Sequence, residues 1–104
     1  MKIMMTKHVV NDRMERMMYI AQNIGWGEIL MEVQSSNDTR MCLTSTGVVL
    51  IKPLYEERLV TAYVANMNDV TWLYRSIGCA RVPSFMFTKV KKNKGHVAIL
   101  SKMY

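Results

Sequence analysis

The chain has 104 residues, half of them hydrophobic, and a formal net charge of +6. That length supports one domain with a single modest core. No run approaches the roughly 18 apolar residues of a membrane span, and the N-terminus has no signal-peptide cleavage pattern, so the expectation is a soluble cytoplasmic protein without a membrane partner.

Thr6 is placed to cap a helix running to about Asn23, with Gly25 as its terminator. Val10, Met14, Met17, Met18 and Ala21 recur at three- and four-residue steps and form its expected apolar stripe, opposite Asp12, Glu15, Arg16 and Asn23. Trp26 lies between two glycines. Residues 28–34 then alternate, with Ile29, Met31 and Val33 on one side, and read as a first strand ending in a Ser-Ser-Asn-Asp turn.

Three runs rich in β-branched and aromatic residues follow, at 40–44, 48–52 and 58–65. Ser45-Thr46-Gly47 separates the first two, and Pro53 to Glu57 separates the second from the third. They read as the remaining antiparallel strands of a meander. In the last run Val60, Ala62 and Val64 form an aliphatic face for the helix to cover. Leu59, Thr61 and Tyr63 point the other way, and their hydroxyl and phenol make that side a candidate working surface.

Asn66 caps a helix from Met67 to about Ile77, with Met67, Val70, Thr71, Tyr74 and Ile77 as its apolar face. Pro83 opens a last short helix to about Lys92, on which Phe87 and Val90 are expected to pack inward. Trp72, Tyr74, Phe85 and Phe87 fall at helical spacings and read as core rather than as base-stacking platforms. Residues 97–100 form a short apolar run expected to add an edge strand. The fold class is therefore α+β: an N-terminal helix packed on a four-stranded antiparallel sheet, with two short C-terminal helices.

Cys42 and Cys79 are far apart and read as buried reduced thiols. His8 and His96 lie near opposite ends, so no metal-ligand spacing forms, and no cofactor signature is present. Charge is the clearest signal. Every acid lies between Asp12 and Asp69, whereas the charged residues from Arg81 onward are all basic, among them Lys89, Lys91, Lys92 and Lys94. These four are the candidate nucleic-acid-binding set, weighed against a plain solvated basic face.

Phosphodiester cleavage without metal requires a base, an acid and cations for the phosphorane charge. His8, Arg13, Arg16, Thr61, Tyr63 and His96 are residues of the right types, with Lys94 a further cation. Each also has a plainer reading. His8 and His96 suit surface positions, Arg13 and Arg16 can pair with Asp12 or Glu15, and Thr61 and Tyr63 are ordinary strand formers.

The order of a leading HVVNDRMERM helix followed by RMCLTSTGVVLIKP and RLVTAYVA strands resembles the barnase/EndoU/colicin/RelE-like group of small RNases, in the form seen in small phage proteins of Gram-positive hosts. The WLYRSIGCARVPSFMFTKVKKNK segment is similar to a tail found in such phage proteins. The resemblance spans about residues 6 to 95. It implies a helix on a curved sheet, metal-free RNA cleavage, and His8, Arg13 and Thr61 as the positions that match the group's motif. Where those toxins place a basic or histidine catalyst on a last strand, this chain offers Lys94 and His96. The expected partner is nucleic acid, RNA foremost. The alternative is a non-catalytic phage protein that binds and blocks a host protein or nucleic acid.

Overall fold

A computed structural model describes residues 4–5 and 14–102. Strand β1 (Met4–Met5) is followed by helix α1 (Met14–Asn23) and strands β2 (Ile29–Gln34), β3 (Thr39–Thr44) and β4 (Val48–Pro53). Then come β5 (Arg58–Leu59), β6 (Thr61–Val64), α2 (Met67–Ser76), α3 (Ser84–Lys92) and α4 (Lys94–Ser101). The fold is α+β, as the sequence pattern implied. Its four-stranded antiparallel sheet has the order β2-β3-β4-β6, a meander, and β1 pairs in parallel with β5 beside it.

Alternation along the central strands divides the core into two layers. Cys42, Val48, Leu50 and Ala62 face α1 and α4, where they meet Met17, Ile20 and Leu100. Leu43, Val49 and Ala65 face α2 and α3, where they meet Val70, Leu73, Met86 and Val90. Helices therefore cover both faces of the sheet. The side expected to be a working surface is packed: Tyr63 lies against the second layer, and the Thr61 hydroxyl is buried with no hydrogen-bond partner among the described residues.

Two irregularities change which side chains share a face. The register shifts between Ile29 and Met31, a bulge at Leu30, so Ile29 packs with the first layer and Met31 with the second. At Val60 the long third run divides into β5 and β6, and Leu59 enters the same layer as Ala62 instead of opposing it. Val60 itself is only half buried, its amide donating to the Ile51 carbonyl at 2.8 Å.

The helices also present other faces than their spacing suggested. On α1 the core residues are Met17 and Ile20, while Met18 and Ala21 are exposed. The Ile20 carbonyl accepts from the amides of Ile24 and Gly25, and Gly25 has φ +84°, the left-handed stop expected there. On α2 the buried set is Val70, Leu73 and Tyr74, with Trp72 and Ile77 exposed. Its start is a capping box in which Asn66 Oδ1 accepts from the Asp69 amide at 2.8 Å and Asp69 Oδ2 accepts from the Asn66 amide at 3.0 Å. On α3 Met86 and Val90 are buried and Phe85 and Phe87 half exposed, so Tyr74 alone of the four aromatics is core. Residues 97–100 belong to α4, a third C-terminal helix in place of the edge strand. Cys42 is buried, but Cys79 is exposed.

Candidate nucleic-acid interface

The position of α3 follows from its two buried residues. Met86 and Val90, four apart, point to the sheet, which leaves the helix two solvent-facing flanks. Residues about 100° apart in succession then sort the lysines. Lys89 and Lys92 fall on one flank; Lys91 lies on the other with Phe87.

Asn93 joins α3 to α4. It is buried, keeps right-handed helical backbone angles, and donates from Nδ2 to the Thr46 carbonyl at 2.9 Å. That bond seats the junction on the β3–β4 turn. The turn is in turn fixed to the chain after α1, because Thr46 Oγ1 donates to the Gly25 carbonyl at 2.7 Å and the Ser45 hydroxyl accepts from the Glu28 amide. From the junction α4 carries His96 back to α1. There the Tyr19 hydroxyl lies 2.8 Å from His96 Nδ1, and the two rings meet edge-on with centroids 5.6 Å apart.

These contacts enclose a polar recess of about 290 Å³ lined by Asn23, Ile24, Thr46, Lys89, Lys92, Asn93 and His96. No described carboxylate lines it. Two ammonium groups and an imidazole around one opening suit a phosphate or phosphodiester, which gains most from donors that carry charge.

A second recess, of about 200 Å³, lies by the edge strand β6 and is lined by Arg16, Tyr63, Val64, Val97, Leu100 and Ser101. Burial and then the Asp69 charge push the Tyr63 phenol up to about 12, so it is a neutral hydroxyl at physiological pH and not a base.

The candidate residues thus fall into separate places. Arg16 and Tyr63 share the recess by β6, His96 joins Lys89 and Lys92 in the polar one, and Thr61 lines neither. Lys91 and Lys94 lie around a third, small opening with Phe87. His8 and Arg13 lie outside the described residues. Tyr19, Asn93 and Thr46 went unnoticed in the sequence, where no local signal marks them: their partners are 77, 47 and 21 residues away.

Charged groups also cluster on the sheet. Glu57 accepts from Arg40 at 2.7 Å and from Lys52 at 3.0 Å, and Arg40 Nε lies 3.2 Å from Glu32 Oε1. Cys42 donates its thiol to the same Glu32 oxygen at 3.3 Å, and burial together with that carboxylate pushes it up to about 11. It therefore stays a thiol at neutral pH and is no nucleophile. Each acid in this cluster is matched by a cation, so the arrangement neutralises two largely buried cations and leaves no charge to attract a ligand.

No protein-family model matches the sequence, and neither curated protein sequences nor solved structures provide a match.

Proposed function

We propose that the protein is a nuclease-like RNA-binding protein that seats a backbone phosphate among Lys89, Lys92 and His96 and cleaves the strand without metal. The observation that supports this is the polar recess itself: two lysines and a tyrosine-paired imidazole around one opening, without a described carboxylate to compete for them. The RNase resemblance of the sequence points the same way.

In such a cleavage the ribose 2′-oxygen bonds to phosphorus and the bond to the 5′-oxygen breaks. One group takes the 2′-proton and another protonates the leaving oxygen. As an imidazolium, His96 donates from Nδ1 to the Tyr19 oxygen and gives its Nε2 proton to the leaving oxygen, which leaves the neutral ring with its proton on Nδ1. Lys89 and Lys92 stabilise the charge that develops on the phosphoryl oxygens. His8, one of the positions at which the sequence matches the RNase group's motif and a candidate general acid or base, is proposed to take the 2′-proton.

The test is incubation of labelled RNA with the purified chain, with and without a chelator, from mild acid to mild base. Cleavage should survive chelation, and His96→Gln should reduce its rate roughly a hundred- to ten-thousand-fold. The double variant Lys89→Gln/Lys92→Gln should weaken binding and lower its log–log salt slope by about 0.7 per lost contact. RNA that is bound but left intact overturns the cleavage step; RNA that is not bound overturns the whole reading.

A second reading, a non-catalytic phage protein that binds and blocks a host protein, is favoured by a separate observation. Trp72, Ile77 and Phe85 are each about half exposed, at 47%, 47% and 50%, on or beside α2 and α3. Large apolar side chains left in water are a feature of protein-binding surfaces. Failure to bind RNA, with stable capture of one host protein that Trp72→Ser abolishes, would select this reading.

A further inference from the structure

We infer that the far flank of α3 is a second subsite for the same RNA strand, with a nucleobase stacked on Phe87 and its phosphate held by Lys91 and Lys94. This rests on the RNA reading of the polar recess and adds a site on the opposite side of the helix. A small opening of about 80 Å³ is lined by Met67, Phe87, Val90, Lys91 and Lys94. Its floor is apolar and its rim carries two ammonium groups, with no described carboxylate in the lining.

Phe87 is the informative residue. Its neighbour Met86 is fully buried, yet Phe87 leaves half its surface in water, which forgoes apolar burial unless something covers the ring. The chemistry around it selects the cover. An apolar platform flanked by cations matches a ligand with a flat ring and an attached anion, which describes a nucleotide. A purely apolar partner would leave Lys91 and Lys94 without a counter-charge, and a bare phosphate would leave Phe87 uncovered.

The opening is too small to enclose a nucleoside, so it offers one face of a ring for stacking and no hydrogen-bonding frame around the base. Recognition there should tolerate any base. The two sites stand on opposite flanks of a single helix, whose width with side chains is about 10–12 Å. A strand crossing over α3 can occupy both within a few nucleotides.

The test is fluorescence anisotropy with a short 2′-O-methyl oligouridylate, which lacks the nucleophile for cleavage. It is compared with an abasic strand of equal length and with inorganic polyphosphate. Phe87→Leu should weaken the oligouridylate roughly fivefold to a hundredfold and leave the abasic strand and polyphosphate unchanged. Phe87→Tyr, which keeps the ring, should retain binding. Lys91→Gln/Lys94→Gln should lower the salt slope by about 0.7 per lysine. If Phe87→Leu binds all three ligands like the parent while Lys89→Gln/Lys92→Gln weakens them, the second subsite is overturned and the recess stands. Equal weakening of all three by Phe87→Leu also overturns it. If no variant changes any affinity, the RNA reading falls with it.

Discussion

The Tyr19 hydroxyl stands 2.8 Å from His96 Nδ1 and joins α1 to α4 across 77 residues of chain. When the hydroxyl donates to Nδ1 of the neutral ring, the ring proton sits on Nε2. Tyr19→Phe removes this bond and keeps the ring packing. Nitrogen-15 NMR of the neutral His96 ring, recorded at alkaline pH, should show the Nε2–H tautomer in the parent and a mixture in the variant. The stability loss should be about 1 kcal/mol. An unchanged tautomer would show that Tyr19 does not orient the imidazole.

Gly47 lies directly under the α3–α4 junction. It has φ +82°, and a Cβ there would come within 2.9 Å of Asn93 Nδ2. Gly25 has nearly the same angle, φ +84°, but a Cβ there meets nothing within 4 Å. The pair separates backbone strain from close approach. Gly25→Ala should cost about 1–2 kcal/mol for the left-handed angle alone. Gly47→Ala should cost more, because Asn93 must also release the Thr46 carbonyl, and it should weaken RNA binding. Urea melts of both variants, with anisotropy on each, provide the comparison. Equal losses in stability and no change in binding would detach the turn from the recess.

Much of the fold could be read locally. The strands lie within a residue or two of the expected runs, and the Asn66 cap and Gly25 stop are in place, because turn residues and caps act over three or four positions. What escaped depends on more distant contacts. Residues 97–100 are a four-residue apolar run that suits a strand or a helix equally, and burial of Leu100 against α1 and the sheet decides for helix. The bulge at Leu30 and the break at Val60 each reverse a face, and strict alternation cannot reveal either. The division of the lysines was within reach of the helical period, since Lys89 and Lys92 are three apart and Phe87 and Lys91 four. The seat for His96 was not, because it is built from α1, the β3–β4 turn and α4 together.

The methionines of α1 test which stripe carries the packing. Met17 is 2% exposed and Met18 is 51% exposed, with Ile20 fully buried beside Met17. Met17→Ala or Ile20→Ala should each destabilise by about 2–5 kcal/mol, the cost of lost transfer energy and a residual cavity. Met18→Ala should stay within about 0.5 kcal/mol of the parent. Urea midpoints at constant slope supply the measurement. A large loss at Met18 would mean that its exposed side chain is covered in solution.

Lys52 is 5% exposed, and Glu57 is its ion-pair partner among the described residues. Hydrogen bonds from Lys52 and then Arg40, with the charges of both, hold the Glu57 carboxyl below its ordinary range. A carboxyl depressed in the folded state takes up its proton more readily in the unfolded chain. Its stabilising contribution is therefore complete above the unfolded value of about 4.3 and is lost as pH falls through the lower folded value. Glu57→Gln should be less stable than the parent at neutral pH, because Lys52 remains buried without its counter-charge. Between about pH 5 and pH 3 the parent should lose stability more steeply than the variant, since only the parent has this proton to bind. Denaturant midpoints across that window measure the difference. Parallel curves would assign the acid sensitivity to other carboxylates.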